Sequence, residues 1–142
     1  MTAKQEVEEF MNGLMGLAVT HIEHSGTFNP FFAVLTRDDK GEVCAVEPDR
    51  ESDTPTPPKE MLREIARQRI NEGDVKIVAL IFDFLMIHPD TRKKVDAVHM
   101  QLTHADGYAV DIYVPYRVTK GKFNAGELIS RPGHNVLFGE QT

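Results

Sequence analysis

The fold is decided by the stretch Val75-Lys76-Ile77-Val78-Ala79-Leu80-Ile81-Phe82-Asp83-Phe84-Leu85-Met86-Ile87-His88. Apolar side chains occupy both alternating sets of positions along it, so a β-strand formed here is apolar on both faces. A strand of this kind has to be covered on each face. We therefore predict that residues 75–88 form the central strand of a sheet.

Two alternating segments follow this strand and predict an antiparallel pair. Residues 94–104 and 107–118 each place apolar side chains at every second position. The intervening turn, Ala105-Asp106-Gly107, suits a three-residue hairpin loop with its glycine in the left-handed conformation. A slip of one residue would turn every apolar side chain to the wrong face, so the register is well specified. The predicted cross-strand pairs are His104–Tyr108, Leu102–Val110 and Met100–Ile112.

The earlier part of the chain predicts two amphipathic helices and a hairpin. Apolar side chains recur at three- and four-residue steps in both helical segments. Gly13 and Gly16 interrupt the first helix, which is tolerable where another element packs closely against them. The predicted elements are a helix at 3–24, strands at 31–37 and 42–47, and a helix from about Pro57 to Asn71.

Two segments are predicted to lack regular structure. Residues 48–58 carry four prolines and no apolar anchor, which indicates a mobile loop and the first site of proteolytic cleavage. From about residue 119 the chain is predicted to be an irregular tail with short strand candidates at 127–130 and 135–138. The tail could add an edge strand to the sheet or embrace a partner.

These elements predict one α+β domain spanning residues 1–142. The order is helix, hairpin, helix and three-strand antiparallel meander, with both helices packed on one face of a mainly antiparallel sheet. Two modest helices can hardly cover both sides of a five-strand sheet, so either the tail or a second copy of the chain must cover the rest, and we expect a second copy. The expected homodimer buries part of Phe31-Phe32, or the side that carries Ile77, Ile81 and Leu85.

Composition excludes several classes of function. The net charge of −6 argues against a nucleic-acid-binding protein, which needs a basic surface to displace counterions. The single cysteine, Cys44, rules out an internal disulfide and fits a reducing compartment. We see neither a signal peptide nor an apolar run long enough to span a membrane, and expect a cytoplasmic protein.

Familiar catalytic and metal-binding patterns are absent from the sequence. We find no phosphate-binding glycine loop, nucleophile elbow or zincin motif. Cys44 has no charged activator beside it, so we interpret it as structural. His21 and His24 share one helical face, but His21 lies on the apolar stripe and is expected to be packed, so we predict no metal site and no cofactor. His88 and His104 each precede an acidic turn and are interpreted as turn residues.

The candidate ligand-binding residues are derived from Asp83, the one carboxylate in an otherwise apolar run. A buried carboxylate needs a partner or a raised pKa. If His88 pairs with Lys94, Asp83 falls opposite His99. The predicted meander register then sets His99 beside Tyr113, and Gln101 beside Asp111, on the same face.

The sequence therefore predicts a small binding domain for a protein partner or a small molecule, acting as a homodimer. The alternative is a small enzyme whose acid–base site is built on Asp83 and His99. A pocket with converging Asp, His and Tyr side chains would favour a ligand or an enzyme, whereas a flat apolar patch would favour a protein partner.

Overall fold

The computed structural model describes residues 2–26, 28, 30–45 and 58–133. These residues form two helices and one seven-stranded sheet, so the α+β class is confirmed. The elements are α1 Ala3–Ser25, β1 Phe31–Thr36, β2 Gly41–Ala45, α2 Pro58–Asn71, β3 Val75–Ile87, β4 Lys94–His104, β5 Ala109–Thr119, β6 Lys122–Ala125 and β7 Ile129–Pro132. The predicted order of helix, hairpin, helix and meander is matched in part: the meander gains one more strand, β6, and a further strand, β7, returns to pair with β5.

The sheet is antiparallel in all its pairings, with the strand order β2-β1-β3-β4-β5-β6. The short strand β7 also pairs with β5, along the first half of β5 from Val110 to Tyr113. β3 is central as predicted only from Ile77 to Ile81, where it pairs with both β1 and β4. Beyond Ile81, the described residues provide a partner for β3 on the β4 side alone.

The helix α1 covers one face of the sheet. It begins with a capping box in which the Thr2 side chain accepts from the backbone of Gln5, and it ends at Gly26 with φ 83°. Its buried stripe lies on strand residues such as Ile81, Met100 and Ile112. The predicted packing of His21 is wrong, because this side chain is exposed next to the buried Ile22.

The helix α2 lies on the opposite face of the sheet. Ala66 on α2 packs with Val34, Val78, Leu80 and Phe82, a cluster separate from the one under α1. The prediction that both helices share one face is therefore wrong. The physical reason is the doubly apolar pattern of β3 itself, which requires a cover on each face.

This arrangement also removes most of the surface expected to form a dimer. Phe31, Phe32, Ile77 and Ile81 are all buried within a single chain. Leu85 is the exception, because it lies beyond the end of β1 and is 58% exposed. The prediction of a dimer interface on the four buried residues just named is therefore wrong. Of the predicted interface residues, Leu85 alone remains exposed for contact with a second copy.

The C-terminal part contains more regular structure than predicted. β6 and β7 lie within the segment expected to be irregular, and β7 overlaps the predicted candidate at 127–130. The candidate at 135–138 and the predicted mobile loop at 48–58, except Pro58, lie outside the described residues. Cys44 lies on β2 as expected and is exposed.

The two helical glycines have no packing reason in the structure. A Cβ added at Gly13 or Gly16 would meet nothing within 4 Å, so the expected close approach is absent. We predict that Gly13→Ala raises the free energy of unfolding by about 0.5–1 kcal/mol, because alanine is the better helix former. Urea unfolding measures this change.

Gly133→Ala is the matched control for this substitution. A Cβ at Gly133 would lie 2.9 Å from the backbone nitrogen of Val110, so this substitution should destabilise the fold. A loss of stability in Gly13→Ala as well would contradict the open space beside α1.

Candidate functional site

The turn between β3 and β4 decides where the predicted site residues lie. The backbone N–H of His88 donates to the carbonyl of Lys93 at 2.9 Å, and Arg92 donates to the carbonyl of His88 at 2.9 Å. Arg92 has φ 61°, a left-handed conformation that arginine rarely adopts. The loop is therefore one residue shorter than predicted, and His88 pairs with Lys93 instead of Lys94.

This slip places Asp83 and His99 on opposite faces of the sheet. Asp83 lies opposite Val98, and His99 lies opposite Phe82. The predicted Asp83–His99–Tyr113 row is therefore wrong. An acid–base pair made of Asp83 and His99 has no common site in this fold.

Four of the candidate residues do share the α2 face. The predicted pairs His99–Tyr113 and Gln101–Asp111 are confirmed by the register. The rings of His99 and Tyr113 stack with centroids 4.3 Å apart and an angle of 8° between them. Nε2 of His99 lies 3.7 Å from Oδ1 of Asp111, and Oε1 of Gln101 accepts from Arg63 at 3.5 Å.

The stacked pair is a largely closed seam. His99 is 4% exposed, and the rings of Phe82 and Phe84 lie 5.8 and 5.7 Å from its ring. Burial raises the pKa of the Tyr113 hydroxyl above its ordinary value of 10.0, so burial adds to the preference of this group for the neutral form. The contacts fix the orientation of the imidazole and leave little of it accessible to a substrate.

Asp83 has a partner on the other face, under α1. The hydroxyl of Tyr116 donates to Oδ1 of Asp83 at 2.8 Å, and the Tyr116 ring stacks on Phe123 with centroids 5.0 Å apart. Burial, followed by the neighbouring Asp83, raises the pKa of Tyr116 far above its ordinary value, so the hydroxyl remains a donor. A partner for the Asp83 carboxylate was predicted, and the structure provides the Tyr116 hydroxyl in that role.

A polar cluster at the start of α1 was not predicted. Nζ of Lys76 lies 2.5 Å from Oε2 of Glu6 and 2.6 Å from Oδ1 of Asp39. Nε2 of the buried His104 lies 3.2 Å from Oε1 of Glu6, while its Nδ1 accepts from the backbone of Asp106 at 2.9 Å. Because Nδ1 is an acceptor, Nε2 carries the proton and donates to Glu6.

The cluster joins three elements by charge. The hydrogen bond between Glu6 and Lys76 is the largest cause of the lowered pKa of Glu6. The pKa of Lys76 is raised, chiefly by its hydrogen bond to Asp39 and next by its hydrogen bond to Glu6. Lys76 is the one charged residue within the apolar first half of β3, and this signal could have located the cluster. The turn role predicted for His104 is confirmed, and His88 likewise accepts from the backbone of Asp90 at 3.1 Å.

An open cleft of about 550 Å³ lies beside this cluster, between α1 and the sheet. Its lining is charged at Lys76 and Glu6 and apolar at Phe10 and Leu35. Gly13 borders the cleft without a side chain. The complete lining is Glu6, Glu9, Phe10, Gly13, Leu35, Asp39 and Lys76.

The second half of β3 presents an exposed apolar surface, which we call the β3 end and define as Phe84, Leu85 and Ile87. These side chains are 42%, 58% and 62% exposed. They lie beyond Ile81, the last residue of β3 that β1 covers. Large apolar side chains on an extended edge are typical of surfaces that pair with another chain.

Compared with known proteins, the chain matches no protein family, no curated protein and no solved structure. Within the described residues, neither helix combines the length and hydropathy needed to cross a membrane. The same residues contain no group of three or more His, Cys, Asp or Glu side chains that could hold a metal ion.

Proposed function

We propose that the chain is a protein-binding domain that acts as a homodimer through the β3 end. The observation that carries this proposal is the exposure of Leu85 and Ile87 on a strand whose first half is buried apart from Lys76. Removing such apolar surface from water contributes about 25 cal/mol per Å². An edge strand of this kind is otherwise a site of uncontrolled association, so a defined partner is favoured.

The geometry supports binding better than acid–base catalysis. The side chains of Asp83 and His99 lie on opposite faces of the sheet, so they cannot act together as an acid–base pair on one substrate. Asp83 is bonded to Tyr116, and His99 is stacked on Tyr113. The surface that remains exposed is apolar and extended, which is the arrangement that favours a protein partner.

The test compares lysine substitutions at two exposed apolar residues, one at the β3 end and one on β2. We expect the unaltered chain to have twice the 16.0 kDa mass of one copy in light scattering at micromolar concentration. Ile87→Lys should reduce this to a single copy, because a charge in the interface would be buried without a partner. Val43→Lys alters an equally exposed side chain on β2 and should leave the mass unchanged.

A mass of 16.0 kDa for the unaltered chain would end the homodimer proposal. Loss of the dimer in both lysine variants would show that the interface includes β2 as well, and would overturn its placement at the β3 end. Circular dichroism spectra that match the unaltered chain show that each variant is folded.

A second candidate function, small-molecule binding, is favoured by the cleft beside Gly13. Glycine in a helix interior costs up to about 1 kcal/mol relative to alanine, and here no close packing requires it. Its position at the cleft border keeps the space open above Phe10 and Leu35. Three carboxylates, those of Glu6, Glu9 and Asp39, outnumber the one lysine in the lining, Lys76. This net negative charge favours a ligand that joins a cationic group to an apolar body.

Phenethylamine, an ammonium group on an aromatic body, is a suitable probe for this second function. We expect it to shift the NMR signals of Phe10 and Leu35 in a saturable way. Gly13→Met should abolish the shifts by filling the cleft, whereas Gly16→Met, on the same helix but outside the cleft lining, should keep them. Shifts that persist in Gly13→Met would exclude the cleft as the binding site.

A further inference from the structure

We infer that two copies of the chain join their sheets edge to edge through antiparallel pairing of β3 with its copy, with the two-fold axis at Met86. This inference rests on the proposed homodimer and specifies its geometry. The occupant of the exposed edge is thus a second copy of this chain, whose Leu85 and Ile87 meet Ile87 and Leu85 of the first.

The hydrogen-bond parity of β3 shows which backbone groups face the open edge. His88 bonds to Lys93, and Lys76 accepts from Ala105, so the even-numbered residues of β3 exchange hydrogen bonds with β4. The odd-numbered residues therefore turn their N–H and C=O groups to the other side. From Val75 to Ile81 that side is occupied by β1.

Leu85 and Ile87 lie past the end of β1 and direct their backbone groups toward the open edge. Among the described residues, no strand pairs with them on that side. Their side chains are also the two most exposed large apolar ones on β3. An added β-strand satisfies the backbone groups and places apolar cross-strand neighbours against these side chains, and a flat apolar partner provides no such backbone partners.

The axis position follows from matching the two copies. With the axis at Met86, Leu85 of each copy pairs with Ile87 of the other in a hydrogen-bonded pair, which uses all four outward backbone groups of the two residues. Met86 faces Met86 of the other copy on the α2 face. Phe84 faces His88 of the other copy, so pairing ends before the level of Phe31.

A shift of the axis by one residue is less favourable. An axis at Leu85 would carry the turn after His88 to the level of Phe31, where β1 already occupies the same lane of the sheet. An axis at Phe84 would place Leu85 against the carboxylate of Asp83 and carry the turn further into β1. An axis at Ile87 would pair Leu85 with Pro89 of the other copy, which has no N–H to donate to the Leu85 carbonyl. Of these positions, only the Met86 axis avoids the clash with β1 and uses all the outward backbone groups of Leu85 and Ile87.

Charge complementarity favours the same arrangement. The turn of one copy carries Arg92 and Lys93 against the single acidic Asp90, so it is net positive, and antiparallel pairing brings this turn toward Asp83 of the other copy. The two-fold axis produces the same approach twice. Opposite charges at both ends of a short paired segment help to set its direction.

The experiment is a disulfide cross-link at the axis, made in the Cys44→Ser background so that no other thiol is present. Residues in a non-hydrogen-bonded antiparallel pair have Cα atoms about 4.5 Å apart, within the range that a disulfide spans. We expect Met86→Cys to form a covalent dimer on mild oxidation, reversible by reductant. Phe84 is more exposed than Met86 in one chain, but in the proposed dimer it lies about four residues along the strand from Phe84 of the other copy. We therefore expect Phe84→Cys to form no covalent dimer.

The outcomes separate this inference from the proposed function. A dimeric mass without a Met86→Cys cross-link would overturn the edge pairing and leave the homodimer standing. A cross-link in Phe84→Cys but not in Met86→Cys would overturn the register. A monomeric mass for the unaltered chain would overturn both proposals.

Discussion

Replacing Ile81 by alanine is expected to lower the free energy of unfolding by about 2–5 kcal/mol. Ile81 has no exposed surface and packs between α1 and the strands on either side of β3. Truncation removes its transfer free energy and leaves a cavity that the surrounding sheet can only partly fill. Urea unfolding, followed by circular dichroism, measures the change.

Leu85→Ala is the matched control, on the same strand and the same face four residues later. At a concentration where the dimer has dissociated, we expect its unfolding free energy to change by no more than about 0.5 kcal/mol. At higher concentration it should weaken the dimer. Equal losses of stability for Ile81→Ala and Leu85→Ala in the dissociated chain would contradict the division of β3 into a covered and an open half.

Replacing Lys76 by methionine is expected to lower the free energy of unfolding by about 1–2 kcal/mol at neutral pH. The substitution leaves Glu6 and Asp39 without their shared cation, and Glu6 is mostly shielded from solvent. The methionine preserves most of the apolar stem of the lysine, so the loss reports charge more than packing.

The pH dependence of this loss has a definite sign. The pKa of Glu6 is lowered below its ordinary value of 4.5 in the folded chain, so its pairing with Lys76 stabilises the fold fully above pH 4.5. This contribution is lost as the pH falls from 4.5 through the folded pKa. The stability difference between the unaltered chain and Lys76→Met should therefore shrink on acidification.

At the alkaline end the sign is reversed. The pKa of Lys76 is raised above its ordinary value of 10.5, so its contribution is complete below pH 10.5 and is lost as the pH rises through the folded pKa.

Urea unfolding of both proteins from about pH 3 to pH 8 measures the acid limb. A stability difference that stays constant over this range would show that the Glu6 pairing does not stabilise the fold.

The meander could be predicted in detail because its constraints are local. Gly107, with φ 104°, closes the predicted turn, and the alternation of residues such as Met100 and Ile112 allows one register only. The pairs His99–Tyr113 and Gln101–Asp111 follow from the same register. Local turn chemistry and alternation are therefore sufficient to derive two of the predicted site contacts.

The Asp83 site could not be predicted because its register depends on one unusual residue. Arg92 adopts a left-handed conformation, which the sequence gives no reason to expect of an arginine, and it shortens the β3–β4 loop. A register shift of one residue moves every β3 side chain to the opposite face relative to its predicted partners on β4. Asp83 consequently meets Tyr116 in place of His99.

The placement of the helices depends on a signal that the amino-acid pattern of β3 does contain. Its apolar residues at both parities predict a cover on both faces, and α1 and α2 supply one each. The open β3 end could not be inferred, because it results from β1 stopping at Phe31 opposite Ile81 while β3 continues. Relative strand lengths of this kind emerge only when the register is known.

Amide hydrogen exchange at Leu85, resolved by NMR, tests the central claim most directly. In the proposed dimer the Leu85 N–H donates to the second copy, so its exchange should be slowed by roughly tenfold or more relative to the dissociated Ile87→Lys variant. The Met86 N–H, directed at β4 within one chain, should be protected in both proteins and provides the internal reference. If the Leu85 amide exchanges equally fast in the unaltered chain and in Ile87→Lys while Met86 stays protected, the β3 end pairs with no second copy.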